Sequence, residues 1–166
     1  MIPTLRPYQR DQLDALVRAV LVGTNRALLK SPTGTGKTVM FAQLPTALAQ
    51  WLQQFPKGER KMLVIAHREE LLDQAASKIQ SANPGLVVTV EQGDRRASMY
   101  SDVVVASIQT LAASKFRRLH RLMDRMVFRV VVVDEAQDMN LPQLLMSTGS
   151  DRKSTRLNSS HDQRSR

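Results

Sequence analysis

The sequence contains no cysteine and a single tryptophan, and aromatic residues make up 4% of its 166 residues. The absence of cysteine excludes a disulfide framework and any metal site with thiolate ligands. No apolar run approaches the roughly 20 residues that a transmembrane helix needs. The N-terminal residues lack the charged region and apolar stretch of a secretory signal. We therefore expect a cytoplasmic protein without a membrane partner.

Basic residues are in excess, with 24 lysines and arginines against 15 acidic residues and a net charge of +9. Such an excess indicates a polyanionic partner, and nucleic acid is the first candidate. Residues 151–166 contain five of the basic and two of the acidic groups, so residues 1–150 keep a net charge of +6. A hydrophobic fraction of 42% is enough to bury a core.

The last 16 residues differ in character from the rest of the chain. Residues 151–161 contain one apolar side chain, Leu157. They can also be back-translated without a mismatch into an adapter used in short-read sequencing libraries. We therefore expect residues 1–150 to be one domain, incomplete at its C-terminus, and residues 151–166 to be a non-native, disordered tail. A native basic tail is the alternative.

Apolar periodicity and turn residues predict alternating strands and helices over residues 1–150. Residues 103–106 and 130–133 are apolar without polar alternation, which is typical of parallel strands buried on both faces. Further strands are predicted at residues 26–30, 62–66 and 86–90. Helices are predicted from Pro7, over residues 37–54 with an interruption at Pro45, over 69–80 and over 114–125. The pattern predicts a doubly wound α/β domain.

A glycine-rich segment, SPTGTGKT at residues 31–38, follows a predicted strand and opens a helix. Backbone N–H groups of such a turn and of a helix N-terminus together bind anions. We expect Thr33, Gly34, Thr35 and Gly36 to surround a nucleotide's phosphates. Lys37 would reach the β- and γ-phosphates, and the Thr38 hydroxyl would bind Mg²⁺. An ordinary strand-to-helix turn is the alternative.

Two adjacent carboxylates follow the predicted strand at residues 130–133. Asp134 suits Mg²⁺, which prefers hard oxygen ligands, directly or through water. Glu135 is placed to orient or deprotonate an attacking water. The alternative is that the two carboxylates are simply solvated at a strand end. Their position at the carboxyl end of a parallel strand favours a ligand site.

These two segments resemble motifs I and II of superfamily 2 DEAD/DEAH-type helicases, in particular the branch related to type III restriction-enzyme subunits. Three further segments resemble motifs of that family in the family's order: the adenine-recognition element (residues 5–9), motif Ia (66–74) and motif Ib (106–111). The resemblance implies a P-loop NTPase fold of the RecA-like type, a three-layer α/β sandwich with a mainly parallel sheet. It also implies ATP-dependent movement on nucleic acid, with DNA more in keeping with this branch than RNA.

The resemblance also implies roles for individual residues. Gln9 would meet the adenine base with Arg6 nearby, although an isolated helix would more often carry such a glutamine on its surface.

Within motifs Ia and Ib, His67, Arg68, Gln109 and Thr110 would contact the nucleic-acid backbone. A structural role for His67, and helix capping by Gln109 and Thr110, are the alternatives.

Four arginines follow motif Ib at residues 117, 118, 121 and 125. Because they fall within a predicted helix, we interpret them as a solvated helix face. A nucleic-acid contact is the alternative.

Some family features are missing or altered. Gln137 stands where this branch usually has histidine, and no Ser/Thr-Ala-Thr motif is found. The second RecA-like domain, which carries the arginine fingers, is expected in a missing part of the polypeptide, so this chain alone should hydrolyse ATP very slowly. A motor subunit that does not unwind, and a stand-alone nucleotide- or nucleic-acid-binding module, are the alternative functions.

Overall fold

The computed structural model describes residues 4–24, 27, 29 and 34–134. Within them, four parallel strands form one sheet in the order β2-β3-β1-β4. The strands are β1 (Lys61–Ala66), β2 (Val88–Glu91), β3 (Val103–Ser107) and β4 (Phe128–Val133). They confirm four predicted strands to within two residues at each end. The strand predicted at residues 26–30 lies largely outside the described residues.

Five α-helices cover the sheet in the described part of the chain: α1 (Pro7–Leu21), α2 (Lys37–Ala47), α3 (Ala49–Leu52), α4 (Leu72–Ala82) and α5 (Ile108–Arg125). Pro45 lies in the last turn of α2 and the chain leaves the helix at Leu48, which confirms the predicted interruption. The helix predicted from residue 69 begins with a 3₁₀ turn, Glu69–Leu71, that leads into α4.

The start of α5 was wrongly predicted at residue 114. The helix begins at Ile108, because the Ser107 hydroxyl accepts a hydrogen bond from the Thr110 N–H at 3.2 Å and caps the first turn. The capping alternative for Gln109 and Thr110 is therefore also wrong. Lys115 and Phe116 have φ angles of 56° and 59°, so α5 is distorted near its middle.

The side chains of β1 and β3 alternate between two apolar clusters. Met62, Val64, Val103 and Val105 pack with residues of α1, α2 and α4. Their neighbours in sequence, including Leu63 and Val104, pack with α5 on the opposite face. The domain is therefore a three-layer α/β sandwich around a parallel sheet, as predicted.

The register of the sheet brings the carboxyl ends of several strands together at one edge of the sheet, which we call the strand edge. Ala66 pairs with Ser107 and Ile65 with Val133, so β1, β3 and β4 end side by side. The residues that follow these ends belong to the motifs that resemble Ia, Ib and II. None of the helices among the described residues is both long and apolar enough to cross a bilayer.

Candidate functional site: a nucleotide-binding turn and an adjoining strand edge

In the described part of the glycine-rich segment, the glycines stand where the backbone is left-handed. Gly34 and Gly36 both have φ angles of 80°, in the left-handed region that glycine adopts most readily. Gly36 is the N-cap of α2, so Lys37 and Thr38 occupy the first helical turn. The first N–H groups of a helix lack intrahelical partners and attract anions. Thr33 lies outside the described residues.

The N-terminal element is attached directly to this turn. The Gln9 side chain is 5% exposed, and its Nε2 donates to the Thr35 carbonyl oxygen at 2.7 Å. Its Oε1 accepts from the backbone N–H of Arg6 at 2.9 Å, just before α1 begins. The surface interpretation of Gln9 is therefore wrong. Contact of Gln9 and Arg6 with adenine stays a prediction.

Tyr8 is a residue that the sequence analysis missed. Its hydroxyl donates to the same Thr35 carbonyl at 2.9 Å. Tyr8 could have been identified as a candidate from its position beside Gln9 in the segment that resembles the adenine-recognition element. Two side chains of α1 therefore hold one carbonyl of the glycine-rich turn.

Gly36 also approaches Gln9 closely. A Cβ atom at Gly36 would lie 2.6 Å from Gln9 Nε2, closer than real Cβ contacts, whereas one at Gly34 would meet nothing within 4 Å. Gly36 is thus favoured by its backbone angle, and a larger residue there would also have to displace the Gln9 amide group.

Asp134 lies at the strand edge. Its N–H donates to the Ile65 carbonyl at 2.8 Å and extends the β4–β1 pairing by one step. Val130 and Val132 of β4 pack against the same apolar cluster as α2, the helix that carries Lys37 and Thr38. Glu135 lies outside the described residues.

The proposed Mg²⁺ ligands are one hydroxyl and one carboxylate, Thr38 and Asp134. Among the described residues no group of three His, Asp or Glu side chains forms a ready-made metal site. Mg²⁺ often binds through one or two protein oxygens and completes its shell with phosphate oxygens and water. Hard oxygen ligands of this kind fit that chemistry.

The segments that resemble motifs Ia and Ib are joined at the strand edge. His67 and Arg68 are exposed directly after β1. Gln109 Nε2, at the start of α5, donates to the His67 carbonyl at 2.7 Å. Ser107 Oγ lies 2.8 Å from Glu69 Oε1 and 2.9 Å from Gln109 Oε1.

Thr110 has a different environment from the other three predicted backbone contacts. It is 7% exposed, and its hydroxyl accepts from the Gly93 N–H at 3.1 Å. Thr110 therefore anchors the loop that follows β2. Its contact with nucleic acid stays a prediction, and it would have to use the small part of the residue that is exposed.

The interpretation of the four arginines as one solvated face is wrong for Arg118. Its Nε binds Glu91 Oε1, and its guanidinium also donates to the carbonyls of Gly93 and Arg95. The Arg118 and Glu91 side chains are only 15% and 5% exposed. Arg118 holds the loop after β2, while Arg117, Arg121 and Arg125 are exposed.

The chain is similar to known proteins both in sequence and in fold. The model of the family described as "Type III restriction enzyme, res subunit" matches residues 2–141. "Putative ATP-dependent helicase IRC3" of Saccharomyces cerevisiae is 39% identical over 135 residues, which are 81% of this chain and 19% of that protein. "Putative mitochondrial ATP-dependent helicase irc3" of Schizosaccharomyces pombe is 28% identical over 141 residues, 85% of this chain and 22% of that protein.

Among solved structures, the "Sulfolobus solfataricus SWI2/SNF2 ATPase core in complex with dsDNA" superposes with a TM-score of 0.60. Its sequence identity is 14%, and the match covers 89% of this chain and 35% of that one. The match confirms the RecA-like fold. The chain spans about a fifth of the length of the two yeast relatives.

Proposed function

Because the chain belongs to the family of type III restriction enzyme res subunits and has the fold of a superfamily 2 N-terminal RecA-like domain, we propose that it binds Mg²⁺-ATP for an ATP-dependent helicase or translocase. The observation that carries the proposal is the attachment of Gln9 to the glycine-rich turn through Thr35. The bond keeps the Gln9 side chain next to the glycine-rich turn, which supports an adenine site adjacent to a phosphate site.

Each of the predicted residues has a defined task in this function. Thr33 to Gly36 surround the phosphates, and Lys37 neutralises the charge on the β- and γ-phosphates. Thr38 and Asp134 hold Mg²⁺, and Glu135 orients the attacking water. Bound Mg²⁺ supplies charge neutralisation at the phosphates.

The nucleic-acid partner is proposed to lie along the strand edge. His67, Arg68, Gln109 and Thr110 would contact phosphates of one strand. Two yeast relatives are named as helicases and the structural neighbour was solved with double-stranded DNA, which supports DNA as the substrate.

Residues 1–150 are proposed to be the first of two ATPase domains, with residues 151–166 as a non-native tail. The missing second domain would supply arginine fingers, which are worth about 10³–10⁵ in rate in related NTPases. We therefore expect nucleotide binding, but very slow hydrolysis, from the chain alone.

Nucleotide binding is tested with a fluorescent ATP analogue and Mg²⁺ on the full chain. Lys37→Ala should lose binding, Asp134→Asn should lose its dependence on Mg²⁺, and Lys57→Ala, a lysine on the exposed 3₁₀ turn before β1, should bind normally. Equal binding by wild type and Lys37→Ala would contradict the proposal.

A motor that translocates without unwinding is the second candidate, since the matching family is described by a restriction-enzyme subunit. Strand-displacement and translocation assays on the longer parent protein separate the two functions. Translocation without strand separation would favour the motor.

A cytoplasmic location is part of the proposal. One relative is named as mitochondrial, so imaging the tagged parent protein beside a mitochondrial marker distinguishes the two compartments.

A further inference from the structure

A cavity of about 430 Å³ lies between α5 and the loop that follows β2. Its lining contains four arginines and one acidic residue: Glu69, Arg96, Arg117, Arg118 and Arg121. Gln109 and Thr110 form the end of the cavity nearest the strand edge. We call this the α5 cavity.

The charges of the α5 cavity are only partly neutralised. Glu91 is paired with Arg118 and lies 3.7 Å from Arg96 Nη1, so one carboxylate serves two guanidinium groups. Within the part of the chain that the structure describes, neither Arg117 nor Arg121 has an acidic partner within 4 Å. The cavity therefore keeps an excess of positive charge on exposed, unpaired side chains.

The two unpaired arginines are spaced as neighbours on the helix. Residues four apart in an α-helix have Cβ atoms about 5–6 Å apart and lie on the same face. Guanidinium groups bind phosphate oxygens through two parallel hydrogen bonds. Among the described residues, the lining has no aromatic side chain on which a base could stack. This chemistry suits the sugar–phosphate backbone and not the bases.

The α5 cavity is continuous with the proposed backbone contacts. Gln109 is bonded to the His67 carbonyl and also lines the cavity. A strand that contacts His67 and Arg68 therefore meets Gln109 next, and then the arginines of α5.

We propose that Arg117 and Arg121, assisted by Arg96, bind phosphates of the same nucleic-acid strand and extend its contact surface along α5. The proposal rests on the proposed function, because it requires nucleic acid as the partner. Arg118 is not part of this surface, since its guanidinium is occupied by Glu91 and by the loop carbonyls.

The test measures binding of the full chain to a labelled oligothymidylate over a series of salt concentrations. Each phosphate contact on single-stranded nucleic acid contributes a slope of about 0.7 in a plot of log affinity against log salt. Arg117→Ala/Arg121→Ala should therefore reduce the slope by about 1.4 and weaken binding roughly 20-fold at about 0.1 M salt.

The matched control is Arg18→Ala/Lys57→Ala, which removes the same charge from exposed positions on α1 and on the turn before β1. It should leave the salt slope unchanged. Arg117→Lys/Arg121→Lys keeps the charge and should retain the slope, while losing part of the affinity.

Three other outcomes overturn the proposal. An unchanged slope in Arg117→Ala/Arg121→Ala means that these arginines do not contact phosphates. An equal loss in the control pair means that net charge alone is responsible. If the wild-type chain binds no oligothymidylate while Lys37-dependent ATP binding persists, the nucleic-acid part of the proposed function fails as well.

Discussion

The Gln9 Nε2 atom donates to the Thr35 carbonyl oxygen at 2.7 Å, although 26 residues separate them in sequence. This hydrogen bond connects α1 to the turn that is proposed to hold the phosphates. Because Gln9 is nearly fully buried and Thr35 is half-buried, the bond is partly shielded from water. Changes to either partner should therefore affect both the stability of the domain and nucleotide binding.

Gln9→Glu should destabilise the domain by about 1–3 kcal/mol, because it replaces a buried donor with an oxygen that faces the Thr35 carbonyl. The free energy of unfolding is measured by urea denaturation at neutral pH. Gln54→Glu, at an exposed position, is the matched control. No difference between the two variants would show that the Gln9–Thr35 bond contributes nothing.

Gly36→Ala and Gly34→Ala test whether the close approach of Gln9 matters beyond backbone conformation. Both variants should lower the free energy of unfolding, measured by urea denaturation, by about 1–2 kcal/mol, because alanine is strained in the left-handed conformation. Only Gly36→Ala adds a Cβ 2.6 Å from Gln9 Nε2, so it should cost more.

A double-mutant cycle with Gln9→Ala isolates that contact. Removing the Gln9 side chain should relieve part of the Gly36→Ala penalty and none of the Gly34→Ala penalty. Equal coupling at both glycines would contradict the steric explanation.

Arg118→Ala should destabilise the domain by about 3 kcal/mol, because it leaves the buried Glu91 carboxylate without its main partner. Thermal unfolding measures the loss. Arg117→Ala, one residue earlier and exposed, should change the unfolding free energy by less than about 0.5 kcal/mol.

Adding Glu91→Gln to Arg118→Ala removes a buried charge that only the more distant Arg96, at 3.7 Å, would still compensate, and it should restore part of the stability. If the double variant were less stable than Arg118→Ala alone, the buried charge would not be the cause.

Asn83 connects α4 to α2, the helix that begins with the proposed nucleotide-binding residues. Its Nδ2 donates to the Ala42 carbonyl of α2 and to the Ile79 carbonyl of α4, both at 2.7 Å. Its Oδ1 accepts from the Thr46 hydroxyl at 2.6 Å. Asn83→Ala should cost about 1–3 kcal/mol, since it removes the side-chain hydrogen bonds to Ala42, Ile79 and Thr46, although the Ile79 carbonyl keeps its bond from the backbone N–H of residue 83.

Thr46→Val removes only the hydroxyl and should cost about 1 kcal/mol. Denaturant unfolding of both single variants and of the double variant gives the coupling energy. Strictly additive effects would show that the Thr46–Asn83 bond does not form in solution.

Local sequence was sufficient where local physics decides the structure. The apolar runs at β3 and β4 predicted parallel strands, since burial on both faces leaves no room for polar alternation; β3 is fully buried as expected, whereas the prediction of full burial was wrong for β4, which is half-buried among the described residues. Gly34 and Gly36 marked the turn because few other residues adopt its backbone angles. The start of α5 was missed because Ser107, the capping residue, also ends a strand and was not recognised as a cap.

The sequence by itself determined the alternation of helices and strands, the three-layer class and the position of the glycine-rich turn. Only the tertiary structure decided that Gln9 is buried, that Gln109 binds the His67 carbonyl and that Arg118 differs from Arg117. The partners in these contacts are far apart in sequence: 26 positions for Gln9–Thr35, 42 for Gln109–His67 and 27 for Arg118–Glu91. Periodicity identifies the face of a helix, whereas packing determines which loop or strand end that face meets.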